Sequence, residues 1–103
     1  MLLLNIDYVP GKEIEALGMV KGTVVQSKNF GPDFMAGMKT LVGGEIAGYT
    51  ELLTEARQVA TKRMVDEASA MGADAIVNIR FGSSSVIQSA AEVMAYGTAV
   101  KFK

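Results

Sequence analysis

With 103 residues the chain has material for one domain and one core, which at that size stabilises a fold only marginally. Half the residues are hydrophobic, a fifth are charged and the net charge is −1, a balance that excludes disorder. Lys and Arg are scattered from Lys12 to Lys103 without a cluster, so neither nucleic acid nor an anionic membrane surface is an expected partner.

The absence of cysteine excludes disulfides. No apolar run nears the roughly 20 residues of a bilayer span. The apolar start lacks the basic flank and cleavage site of a signal peptide, so a soluble, cytoplasmic protein is expected. In chain order, residues 1–9 read as a first strand with Leu2, Leu4 and Ile6 on one face, broken by Pro10 and Gly11. Residues 12–16 are either one helical turn or loop. Residues 17–28 read as a second strand, with Val20, Val24 and Val25 among glycines that weaken it, and the two strands could pair with each other. Pro32 suits a first helical turn. Phe30, Phe34, Met38 and Leu41/Val42 then trace a helical stripe, Asp33 lies in the first turn, and Gly43 and Gly44 end this shorter helix.

A long helix is expected to begin between Gly44 and Thr50. Tyr49, Leu52, Leu53, Ala56, Val59, Ala60, Met64, Ala68 and Met71 fall three and four apart, which draws one apolar stripe. Lys62/Asp66 and Arg63/Glu67 stand four apart, where opposite charges meet. Gly72 suits the left-handed helix stop. Ala75, Val77, Ile79 and Phe81 then alternate with Ile76, Asn78 and Arg80 as a strand, and the alternation predicts that it continues to Ile87 before turning near residues 88–91. The last strand, residues 92–102, has one bulky face (Met94, Tyr96, Thr98, Val100, Phe102) and one small apolar face (Val93, Ala95, Gly97, Ala99). Both need covering. The long helix covers one, and a neighbouring copy of the chain is expected on the other, with the alanine-and-glycine side the one a lone chain would leave open. The expected fold class is α+β: an antiparallel sheet carrying a long and a shorter helix, in the order β-β-α-α-β-β, within a single domain of residues 1–103.

Six segments carry a resemblance: Gly18-Met-Val-Lys-Gly22, Asp33, Gly43-Gly44 leading to Tyr49, Glu55-Ala56-Arg57, Met71-Gly-Ala-Asp-Ala-Ile-Val77 and Tyr96-Gly-Thr-Ala-Val100. In this order, over nearly the whole chain, they resemble the YbjQ family, whose label is heavy-metal binding and whose function is not established. The resemblance implies a dodecin-like subunit assembled into a ring, a homo-oligomer of five copies.

The residues themselves offer little to a heavy metal. Soft and borderline metals want thiolate or imidazole, and the chain has neither Cys nor His. A metal ion as cofactor would therefore rest on Met35 and Met38, three apart and equally suited to filling core gaps, or on Asp33 and Glu45 as hard oxygen ligands. The run Gly43-Gly-Glu-Ile-Ala-Gly48 precedes a helix, but it lacks the Lys-Ser/Thr of a phosphate loop. Arg57 could hold an anion bidentately or simply pair with Asp33 or Glu45. Tyr49 and Tyr96 suit an interface as readily as a ligand. An enzyme is not expected, because the commonest acid–base residue and the strongest nucleophile are missing.

Two functions follow. One is a ring-forming binding module that holds a small ligand or metal ion between subunits. Its site would be Asp33 and Glu45 as acids, Tyr49 as pocket wall and Arg57 as anion anchor. The alternative is a structural or partner-binding oligomer without a small-molecule site.

Overall fold

The long apolar stripe becomes helix α1, Tyr49–Ala70, in a computed structural model that describes residues 1–27, 41–42, 45–46, 49–87 and 90–103. Ala56, Ala60, Met64 and Ala68 stand four apart on one face and are fully buried. Three of the four are alanine, so the helix can approach its support closely. The charged face carries the expected Lys62–Asp66 pair at 3.0 Å, whereas Arg63 donates to the backbone oxygen of Thr23 at 2.6 Å. The stop is a Schellman motif. Gly72 is left-handed at φ 78, its N–H donates to Ser69 O at 3.0 Å, and Ala73 N–H donates to Ala68 O at 3.1 Å.

The support is a four-stranded sheet of β1 (Leu2–Leu3), β2 (Ile14–Ser27), β5 (Ala75–Ile87) and β6 (Ala90–Phe102), in the order β1-β5-β6-β2. A separate two-stranded sheet pairs β3 (Leu41–Val42) with β4 (Glu45–Ile46). In the main sheet β2 and β5 run antiparallel to β6, while β1 runs parallel to β5.

This corrects the expected architecture in three respects. The sheet is mixed rather than antiparallel. β1 and β2 do not pair but lie at opposite edges, because β6 takes the inner edge of β2 along its whole length. α1 is the one helix among the described residues, and the order is β-β-α-β-β around the main sheet. Leu41 and Val42, expected to finish the shorter helix, are a strand instead. Glycine pairs suit a helix stop, but a Gly-Gly pair between two short strands is equally the spacing of a tight hairpin, and Leu41–Val42 pairs with Glu45–Ile46. The other residues of that expected helix, with Phe30, Asp33, Phe34, Met35 and Met38, lie outside the described residues, as do the turn residues 88–89.

Small residues on the sheet meet small residues on the helix. Val20, Ala95 and Ala99 are fully buried against Ala56, Ala60, Met64 and Ala68, with Ile76 and Val93 beside them. The helix therefore covers the alanine-and-glycine side of β6, and the bulky side is the one left over, the reverse of the expectation. Residues from the chain start cover part of that second face. Val9 packs there with Ala75, Val77 and Val100, flanked by Leu4, Ile14 and Phe102. The ammonium of Lys12 sits 5.4 Å from the centroid of the Phe102 ring. Beyond this cap the face is open.

The alternation of β5 is broken by a bulge between Val77 and Arg80. There Asn78 adopts φ 59, and its N–H donates to Ile6 O at 2.8 Å. The extra residue puts Ile79 on the helix side with Ile76, and Arg80 opposite Tyr96. Ala75, Val77, Ile79 and Phe81 thus do not share one face as the simple two-residue period predicts. Asparagine tolerates the left-handed region and β-branched residues do not. Asn78→Gly is therefore expected to keep the stability of the parent, while Asn78→Val loses about 1–2 kcal/mol in urea unfolding.

Candidate functional site

The bulge at Asn78 also decides where Phe81 goes. Paired with Ala95 on the helix side of β5, its ring stands at the side of α1 rather than beneath it, and the residue is 52% exposed. Two of the recesses that this ring lines run along α1. One, of ≈ 650 Å³, is walled by Leu3, Leu4, Asn5, Thr61, Ile79, Arg80 and Phe81. The other, of ≈ 470 Å³, is walled by Thr54, Arg57, Gln58, Thr61, Lys62 and Phe81. Because Thr61 and Phe81 belong to both, the two form one trough along α1. On the helix Thr54, Arg57, Gln58 and Thr61 recur at three- and four-residue spacing, which sets them on one face.

The trough has a definite sign. Arg57, Lys62 and Arg80 line it, and among the described residues no carboxylate does. The Arg57 guanidinium donates to Thr54 Oγ1 at 3.2 Å, while Thr61 Oγ1 donates to Arg57 O at 2.8 Å. Arg80 donates to Asn5 O at 2.8 Å and Ile79 O at 2.9 Å, which fixes its guanidinium at the sheet edge. Lys62 is held by Asp66, but both side chains are exposed, so that pair contributes at most about 1 kcal/mol.

A smaller recess of ≈ 280 Å³ lies on the open sheet face, between Met19, Asn78, Arg80, Tyr96, Gly97 and Thr98.

Of the residues singled out from the sequence, Arg57 lines the trough. Glu45 belongs to β4, which packs near α1, and Tyr49 opens α1; the described features do not extend to their side chains. Asp33 lies outside the described residues. Phe81, Thr61, Lys62 and Arg80 escaped the sequence reading. Lys62 was visible as one half of an i,i+4 pair, and Phe81 would have been found had Asn78 been recognised as a left-handed bulge residue.

A family model described as "Putative heavy-metal-binding" matches residues 1–103. The chain belongs to the YbjQ family. Relatives of this YbjQ chain include a UPF0145 protein of Pseudothermotoga lettingae, 62% identical over 100% of this chain and 98% of the relative. Another is a UPF0145 protein of Clostridium novyi, 57% identical over 98% of each. A crystal structure of a protein of unknown function from Pediococcus pentosaceus, of the DUF74 family, superposes with a TM-score of 0.72. It covers 100% of this chain and 98% of the other at 13% identity, a likeness of fold.

Among the described residues the donor set does not fit the heavy metal in the family description. The YbjQ chain here has no Cys and no His. Among the described residues no three acids come together as a metal-holding group. The trough beside Phe81 is lined by Arg57, Lys62 and Arg80, which repel a metal ion. Among the described residues no helix is long and apolar enough to cross a membrane.

Proposed function

We propose that this YbjQ protein is a self-assembling binding module, a ring of copies of one chain that holds a small ligand where subunits meet. The observation that carries the reading is the half-covered sheet. On the face away from α1, Met19 is 78% exposed, Val25 55% and Tyr96 37%, which is more apolar sheet surface than a lone subunit normally leaves to water. Two further features support it. Among the described residues, no strand pairs with the outer edge of β2, or with the edge of β5 away from β6 beyond the bulge, and such long open edges are templates for pairing with another chain. The subunit is also drawn out to 54 × 26 × 17 Å with a radius of gyration of 16.9 Å, against about 13 Å for a compact chain of 100 residues. The trough beside Phe81 lies along that open edge of β5, so a neighbouring subunit would close it. Five copies is the number the family resemblance implies.

A structural oligomer without a ligand is the second reading. It is favoured by Gly22, Gly72, Asp74 and Gly97 in the family segments, each of which serves packing or hydrogen bonding in this chain. Native mass spectrometry separates the two. A mass several times 10.9 kDa, ideally fivefold, with added mass after a soak in metabolites and metal ions, is expected from a binding ring. The same multiple with nothing retained selects the structural oligomer. A monomer at micromolar concentration overturns both.

A further inference from the structure

The reading as a binding module leaves open what is bound, and the trough beside Phe81 narrows it. We infer that the trough takes an organic anion with a flat apolar body, its carboxylate or phosphate held by Arg57 and Lys62 and its body laid on the Phe81 ring. The inference rests on the binding-module reading and specifies the ligand class.

Charge is the first argument. The whole chain carries −1, with 11 acids against 10 bases, so a random patch of its surface should hold both signs. Among the described residues the walls instead gather Arg57, Lys62 and Arg80 with no acid, and Asp66 stands beside the trough, 3.0 Å from Lys62. A guanidinium and an ammonium on the same wall attract a small anion and strengthen its hydrogen bonds. Chemistry of the floor is the second. The Phe81 ring is half exposed, while Val20, Ile76, Val93, Ala95 and Ala99 on the same sheet face are buried, and a planar ligand gains by stacking on it. Size is the third: recesses of ≈ 650 and ≈ 470 Å³ fall in the range that encloses a molecule of a few rings. Gln58 adds a neutral donor beside the cations. The Arg57 guanidinium is already preset by Thr54, so little side-chain freedom is lost when it engages.

Naphthoate and its neutral amide, naphthamide, are the probes, titrated into the assembled full-length protein by calorimetry. Saturable naphthoate binding, with naphthamide about tenfold weaker, is expected from the loss of a charge-assisted contact. Arg57→Gln should weaken naphthoate about tenfold and leave naphthamide where it was. Phe81→Leu, which keeps an apolar side chain, should weaken both probes. Lys103→Gln, away from the trough walls, should change neither. Equal affinity for acid and amide, an unaffected Arg57→Gln protein, or no saturable binding overturns the inference. Native mass spectra of each variant, taken alongside, exclude lost assembly as the cause. Should the protein retain a neutral or cationic metabolite but no naphthoate, the ligand class is wrong and the binding module stands. Should it assemble and retain nothing, both fail.

Discussion

Replacing Gly22 by alanine is expected to cost about 3 kcal/mol and to lower the melting temperature by roughly 12 °C or more, since one kcal/mol moves a domain of this size by about 4–8 °C. The cause is the closeness of α1 to β2. A Cβ at Gly22 would run into Ala60 O and Met64 N and lie 2.9 Å from Arg63 Cβ. Two of these are backbone atoms in the middle of a helix, so no rotamer change relieves the clash. The helix must lift, and lifting it opens the contact of Ala56, Ala60, Met64 and Ala68 with Val20, Ala95 and Ala99, the principal core of the subunit. Gly82→Ala is the internal control: a Cβ there meets nothing within 4 Å, so a change within about 0.5 kcal/mol is expected. Urea and thermal unfolding at one fixed protein concentration compare the three proteins, because assembly makes stability concentration-dependent. Equal stability of Gly22→Ala and Gly82→Ala would mean that α1 does not sit on β2 as described.

The same contact explains which parts of the fold were legible in the sequence. The stripe of α1 and its stop at Gly72 were readable because both depend on local rules, a 3.6-residue period and a left-handed glycine. The composition of β6 says that both of its faces need covering, and α1 covers the small one while Val9 and its neighbours cover part of the other. Which cover takes which face was not readable from one strand. It follows from pairing two small surfaces, the alanines of α1 and the Gly22–Ala95 neighbours of the sheet, and that is a fact about the approach of two elements. The parallel seating of β1 on β5 depends on a partner 73 positions away, Leu2 with Ala75, and the period of residues 1–9 carries no trace of it. The candidate site fared similarly. Arg57 stands among the candidates, but the two-residue period groups Phe81 with Ala75 and Val77, whereas Asn78 shifts the alternation and parts them.

The family segments themselves turn out to be fold instructions. Asp74 accepts from Phe102 N–H at 2.8 Å, its own N–H donates to Val100 O at 2.9 Å, and Lys101 donates to Gly72 O at 3.2 Å. The segment from Met71 to Val77 thereby locks the helix stop to the end of β6. Gly97 has Ile76 Cγ2 and Val77 O each 2.9 Å from where a Cβ would stand, so that segment keeps β5 and β6 closely packed. These segments of the chain therefore specify the architecture, and none of them supplies a thiolate or an imidazole for a metal.

Met19→Asp distinguishes a shared sheet face from an exposed one, because its consequences in the two cases differ by orders of magnitude. In the lone subunit Met19 is among the most exposed apolar residues, at 78%, opposite Thr98 on the open face. A carboxylate there meets water, and unfolding should change by no more than about 0.5 kcal/mol. If a second copy covers the face, each subunit must instead desolvate an unpaired carboxylate, at several kcal/mol per interface. Even about 3 kcal/mol weakens association by roughly a hundredfold, and a closed ring incurs it at every junction. Light scattering after gel filtration should then show the parent as an oligomer and Met19→Asp as monomer at the same micromolar concentration. Tyr96→Asp tests the same face from β6, and Lys21, its register neighbour, offers that carboxylate a partial partner, so a weaker effect is expected. An oligomer of unchanged mass in both variants would move the interface off this face, leaving the outer edges of β2 and β5 to hold the copies together.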